Sequence, residues 1–96
     1  MAERKCFLCG STQWIERHHI FGGANRKLSE KYGLVVHLCH YCHNEPPNGV
    51  HFNREIRERL QAQFQKVAME KYGWTIEDFI RIFGRNYVIE ENNNDE

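Results

Sequence analysis

The chain has 96 residues, with 13 Lys and Arg against 13 Asp and Glu for a formal net charge of zero. That length suits one domain with a modest core, and cores of this size commonly need a metal or disulfide staple. No apolar run approaches transmembrane length and the opening "MAERKCFLCG" has no apolar signal core, so the expectation is a soluble, cytosolic domain with reduced thiols and no membrane partner.

In chain order, the first recognisable piece is a C-x-x-C knuckle, Cys6 and Cys9. "QWIERHHI" then alternates loosely and is a strand candidate. "RKLSEKY" fits either a short helix or an irregular excursion between strands. "GLVVHLC" carries β-branched residues and runs into a second knuckle, Cys39 and Cys42, so it reads as the other strand. From residue 54 the pattern changes. Ile56, Leu60, Phe64, Val67 and Ala68 recur at helical spacing in "REIRERLQAQFQKVAMEKY", residues 54–72, with Asn53 as N-cap and Gly73 as stop. Thr75 and Asp78 resemble a capping box opening a second helix, "IEDFIRIF", which Gly84 ends. Trp14, Phe21 and Tyr32 read as core or loop packing, and Phe64, Trp74, Phe79 and Phe83 as helix packing. Residues 90–96, "EENNNDE", form an acidic tail expected to be disordered; without it 13 bases face 9 acids, a net of +4 that mildly favours an anionic partner.

Two C-x-x-C knuckles have the usual spacing of a structural zinc site, and four thiolates suit tetrahedral Zn2+. Cys6, Cys9, Cys39 and Cys42 are the expected ligands, with residues 10–38 leaving room for a hairpin between the knuckles. The rival is a redox pair, but a thioredoxin-like site needs a βαβ context that the pattern lacks.

The six histidines, at positions 18, 19, 37, 40, 43 and 51, all precede the long helix. His43 directly follows the second knuckle and His51 closes the loop "NEPPNGV". If knuckle, helix start and strands flank one cleft, several imidazoles converge there. Imidazole can ligate a divalent cation or take a proton near neutral pH. His37 and His40 read as non-ligands, since His37 alternates away from Val36 and Leu38 and His40 lies within a knuckle turn. Plain solvent-facing polarity is the competing reading for each ring, and His43 could also serve as a substitute zinc ligand.

In combination and order, "CFLC", "ERHHIFGG" and "GLVVHLCHYCHNEPPNGVH" resemble the HNH endonucleases, the zinc-knuckle branch of the ββα-metal nucleases, especially small phage-encoded members. The likeness covers roughly residues 6–60, and "FIRIFGRNYV" is similar to the close of the phage-type chains. It implies an α+β, ββα-metal HNH fold over residues 1–89, with a four-cysteine structural zinc and C-terminal helices. It implies His18 as ligand of a catalytic divalent ion (Mg2+, Mn2+, Ni2+ or Zn2+), His19 as general base, and His43 as a further ligand. Some members add a ligand four residues on, where this chain has Pro47; His51 is the best substitute. The middle Asn of the family pattern is also missing, Gly33 and Leu34 standing near its place, with Asn25 the candidate for bracing the inter-strand loop. Arg17, Arg26, Lys27 and Lys31 are candidates for phosphate contacts. The implied activity is one-metal hydrolysis of DNA phosphodiesters with little base specificity. The implied setting is the cytoplasm of a phage-infected or lysogenic bacterium, with the phage terminase as a partner and a monomeric or homodimeric chain. The alternative is a non-catalytic zinc-binding module that engages nucleic acid or protein; it accounts for the cysteines and leaves the histidines without a task.

Overall fold

In the computed structural model, which describes residues 4–88, β1 (Ile15–His19) and β2 (Val35–Cys39) pair antiparallel. Ile15 faces Cys39, Arg17 faces His37 and His19 faces Val35. The expected strands are both trimmed at their starts for a backbone reason. Trp14 adopts φ 52° and Gly33 φ 74°, left-handed conformations that no ladder residue can hold. The acidic tail and residue 89 lie outside the described residues.

Alternation along the hairpin divides its side chains. His18, Val36 and Leu38 point inward and are buried, whereas Arg17 on the other face is exposed. Between the strands the undecided "RKLSEKY" stretch is helical: a 3-10 turn, Gly23–Asn25, runs into α1 (Arg26–Lys31). One side chain ties this excursion to both strands. Ser29, fully buried, accepts from the Phe21 backbone N–H at 3.1 Å and donates to the Leu34 carbonyl at 2.5 Å. Its own carbonyl accepts from the Leu34 N–H at 2.7 Å. Asn25 works elsewhere, donating 2.8 Å to the Phe83 carbonyl and so tying the turn to the last helix.

After β2 the second knuckle enters α2 (His40–Asn44), then a loop, α3 (Arg54–Tyr72) and α4 (Ile76–Phe83). Both long helices have the expected boundaries. Asn53 Oδ1 accepts from Ile56 N–H at 3.1 Å, and Gly73 ends α3 at φ 70°. The Thr75–Asp78 capping box is reciprocal, with bonds of 3.0 and 3.1 Å. The core joins Ile20, Phe21, Leu34, Val36 and Leu38 of the hairpin region to Val50, Leu60, Ala68, Phe79 and Phe83. Phe21 lies 5.0 Å from Phe83 and 4.7 Å from Tyr87, ring to ring, so α4 and the chain after it close over the end of β1.

Two expectations change. Val67 is exposed, and the buried side of α3 instead carries Gln65, with no exposed surface. Its amide donates to Asn86 Oδ1 at 2.8 Å and accepts from Tyr87 N–H at 2.6 Å, so a polar residue is tolerated there because both ends are bonded. Trp14 is 67% exposed and is not core, since its left-handed backbone turns the side chain off the strand face.

Ser29→Ala would leave the buried Phe21 N–H without its partner and the Leu34 carbonyl with only the Ile20 N–H. It is expected to lower stability by about 1–3 kcal/mol, read as a shift of the urea midpoint at constant m-value.

Candidate metal centre

The Sγ atoms of Cys6, Cys9, Cys39 and Cys42 all lie within 4.8 Å of one another. The hairpin register makes this possible. The first knuckle precedes β1 and folds back so that Phe7 N–H donates to the His37 carbonyl at 2.8 Å, while Cys39 ends β2. Gly10, at φ 81°, donates to the Cys6 carbonyl at 2.9 Å and closes the knuckle turn. Cys6 and Cys39 are buried, Cys42 half-buried and Cys9 exposed.

Four close thiols fit zinc chemically. Burial pushes the Cys6 thiol up, but backbone N–H groups around Cys39, Cys9 and Leu8 outweigh it and bring it down to about 6. One of those donors is the Cys9 N–H, 3.4 Å from Cys6 Sγ. Burial and then the neighbouring thiols push Cys42 strongly upward. The pocket thus favours one thiolate and resists accumulating more negative charge unless a cation neutralises it. A structural metal such as Zn2+ meets that need.

A second group forms on the inward face of β1. Ligand nitrogens of His18, His43 and His51 also lie within 4.8 Å of one another. His18 comes from the strand, His43 from α2 one residue past Cys42, and His51 from the loop ahead of α3. The His43 and His51 Nε2 atoms face each other at 3.0 Å, and the His18 ring lies 5.0 Å from that of His43 and 5.2 Å from that of His51. Burial, then the charges of His43, His51 and His19, bring His18 down to about 4, and burial likewise lowers His51. Both shifts favour the neutral ring, whose free lone pair is the form that ligates metal.

His51 reaches its place because the preceding loop folds tightly back onto α2. The Val50 and His51 N–H groups donate to the carbonyls of Cys42 and His43, and Gly49 N–H donates to the Glu45 carbonyl at 2.7 Å. A Cβ at Gly49 would stand 2.7 Å from Glu45 N and 2.9 Å from Asn44 N, so only glycine fits without moving the loop.

Glu16, which the sequence reading passed over, organises this face. Its Oε1 accepts from His43 Nδ1 at 2.7 Å and from Asn44 Nδ2 at 2.8 Å; its Oε2 meets His40 Nδ1 at 3.0 Å. His43 and then His40 hold the Glu16 carboxyl below its ordinary range. With Nδ1–H of His43 given to Glu16, Nε2 is left as the lone-pair nitrogen toward the cluster. Strand alternation held the clue, because Glu16 sits two residues before His18 and so shares its face. His40 is outside both groups, bridging Glu16 and Glu45, and those two carboxylates hold its charged form. His37 is outside both groups as well.

His19 points the other way and lies off the imidazole cluster. Its Nε2 is 2.7 Å from Glu30 Oε1 on α1. Arg17, on the same face of β1, pairs with both oxygens of Glu30, so this candidate phosphate contact is engaged within the protein. Arg26 and Lys27 are exposed on α1. Among the described residues, no helix is long and apolar enough to cross a membrane. No protein-family model, curated protein or solved structure matches the chain.

Two outcomes test this geometry. A strong zinc chelator is expected to unfold the chain, seen as loss of far-UV helical signal, because structural zinc contributes ~10 kcal/mol or more to domains of this kind. Glu16→Ala is expected to weaken Ni2+ or Co2+ binding at the imidazoles by about 10–100-fold in calorimetry, with zinc retained at the thiols.

Proposed function

We propose that this chain is a metal-dependent DNA endonuclease of the HNH kind, its hairpin and α3 forming a ββα-metal unit. The observation that carries the reading is the convergence of His18, His43 and His51 to within 4.8 Å, on the strand whose next residue, His19, faces the opposite side. The order of the motifs in the chain supports it independently.

A divalent cation held by the three imidazoles would supply positive charge at the phosphate and at the departing 3′-oxygen. The chain's own groups do the rest. His19 takes a proton from water as the water oxygen bonds to phosphorus and the bond to the 3′-oxygen breaks. Glu16 fixes the orientation of His43. Arg26 and Lys27 offer charge to the DNA backbone, which favours binding with little dependence on base sequence. In this reading the four-cysteine zinc is structural. It would join the first knuckle to the end of β2 and to α2, and so set the spacing that the imidazoles require.

The test is nicking of supercoiled plasmid with Mg2+, Mn2+, Ni2+ or Zn2+ and with EDTA. His19→Ala is expected to lower turnover about 100-fold or more while divalent-ion binding is unchanged. His18→Ala is expected to weaken ion binding itself. A folded, zinc-loaded chain that cuts no nucleic acid with any of these ions would instead favour a non-catalytic nucleic-acid or protein interaction module.

A further inference from the structure

We infer that Glu30 is the positioning residue for His19, holding the proton on Nε2 so that Nδ1 is the nitrogen that accepts a proton from water. The inference rests on the nuclease reading for its kinetic consequence and on geometry alone for the rest. His19 Nε2 lies 2.7 Å from Glu30 Oε1, and the His19 side chain is only 14% exposed. A neutral imidazole has one N–H. A carboxylate can only accept, so the hydrogen in this contact belongs to Nε2 and the lone pair to Nδ1.

The carboxylate is itself fixed. Arg17, two residues before His19 and therefore on the same strand face, reaches both Glu30 oxygens, with Nε 3.3 Å from Oε1. Arg17 first and His19 second keep the Glu30 carboxyl below its ordinary range. Glu30 stands on α1, one residue after Ser29, whose hydroxyl and carbonyl fasten the helix to the ends of both strands. The chain Ser29, Glu30, Arg17 and His19 is thus an orienting frame on the face of β1 opposite the imidazole cluster. When His19 takes the proton of water, the imidazolium it becomes keeps the Nε2–H bond to the charged carboxylate, and no other group needs to change protonation.

The geometry has a second consequence. Glu30 also holds Arg17 away from a phosphate. Losing Glu30 should therefore lower turnover through His19 and act on substrate binding in the opposite direction through the released guanidinium.

Ring nitrogen shifts of His19, read by long-range proton–nitrogen NMR on the zinc-loaded chain, give the tautomer without reference to activity. The parent is expected to show Nε2–H, and Glu30→Ala a mixture of both tautomers. In plasmid nicking, Glu30→Ala is expected to lower kcat about 10–100-fold with KM unchanged or lower and divalent-ion affinity unchanged. Glu30→Gln can still accept from Nε2–H, so it should keep the parent tautomer and recover most of kcat. An Nδ1–H tautomer in the parent, or a Glu30→Ala chain with the parent's tautomer and kcat, would overturn the inference. If the parent shows Nε2–H and Glu30→Ala loses it, yet neither chain cuts DNA, the positioning role stands and the nuclease reading fails.

Discussion

Cys39 belongs to two structures at once. As the last residue of β2 it lies opposite Ile15, and as a thiol it sits among Cys6, Cys9 and Cys42. A two-stranded hairpin is marginal by itself in water. Here the end of the ladder is also the start of the second cysteine knuckle, so the register and the thiol cluster specify each other. From that junction the chain passes directly into α2, which fixes His43, and then through the folded-back loop that fixes His51. The distances among the three imidazoles descend from this one joint. The aromatic contacts of Phe21 with Phe79, Phe83 and Tyr87 seal the opposite end of the hairpin and supply much of the apolar core.

The period of two in β1 divides the chemistry. Glu16 and His18 look inward, the one orienting His43 and the other ending at the imidazole group. Arg17 and His19 look outward and converge on one carboxylate. A shift of register by one residue would exchange the two sets, burying Arg17 and placing His18 in solvent. The buried Val36 and Leu38 and the bonds of Ser29 oppose that shift, and so does the thiol cluster at the strand's end.

What was legible in the sequence was what is local. Caps and stops placed α3 and α4 because Asn53, Gly73, Thr75, Asp78 and Gly84 act on their own helices. The knuckles were legible because ligand spacing is a short-range signature. The convergence of His18, His43 and His51 was legible from the positions of knuckle, helix start and strands, whereas their roles as ligands came through a resemblance. Glu30 was invisible because its partners lie 11 and 13 positions away and α1 has too few turns to show a period. Gln65 and Ser29 were missed because a polar residue at a buried position declares itself only once its bonding partners are known. Asn25, read as a brace within the inter-strand loop, instead spans 58 positions to α4, a distance no local pattern encodes.

Cys42 and His43 are neighbours on a helix of only five residues, yet their ligand atoms belong to two different groups. So short a helix has little order of its own to lend either group, and each must borrow it from the other. Thermodynamic reciprocity then applies. Whatever free energy an ion among the thiols contributes to ordering the imidazoles, an ion among the imidazoles returns to the thiols in equal measure. An affinity measured at either group would then be conditional on the occupancy of the other.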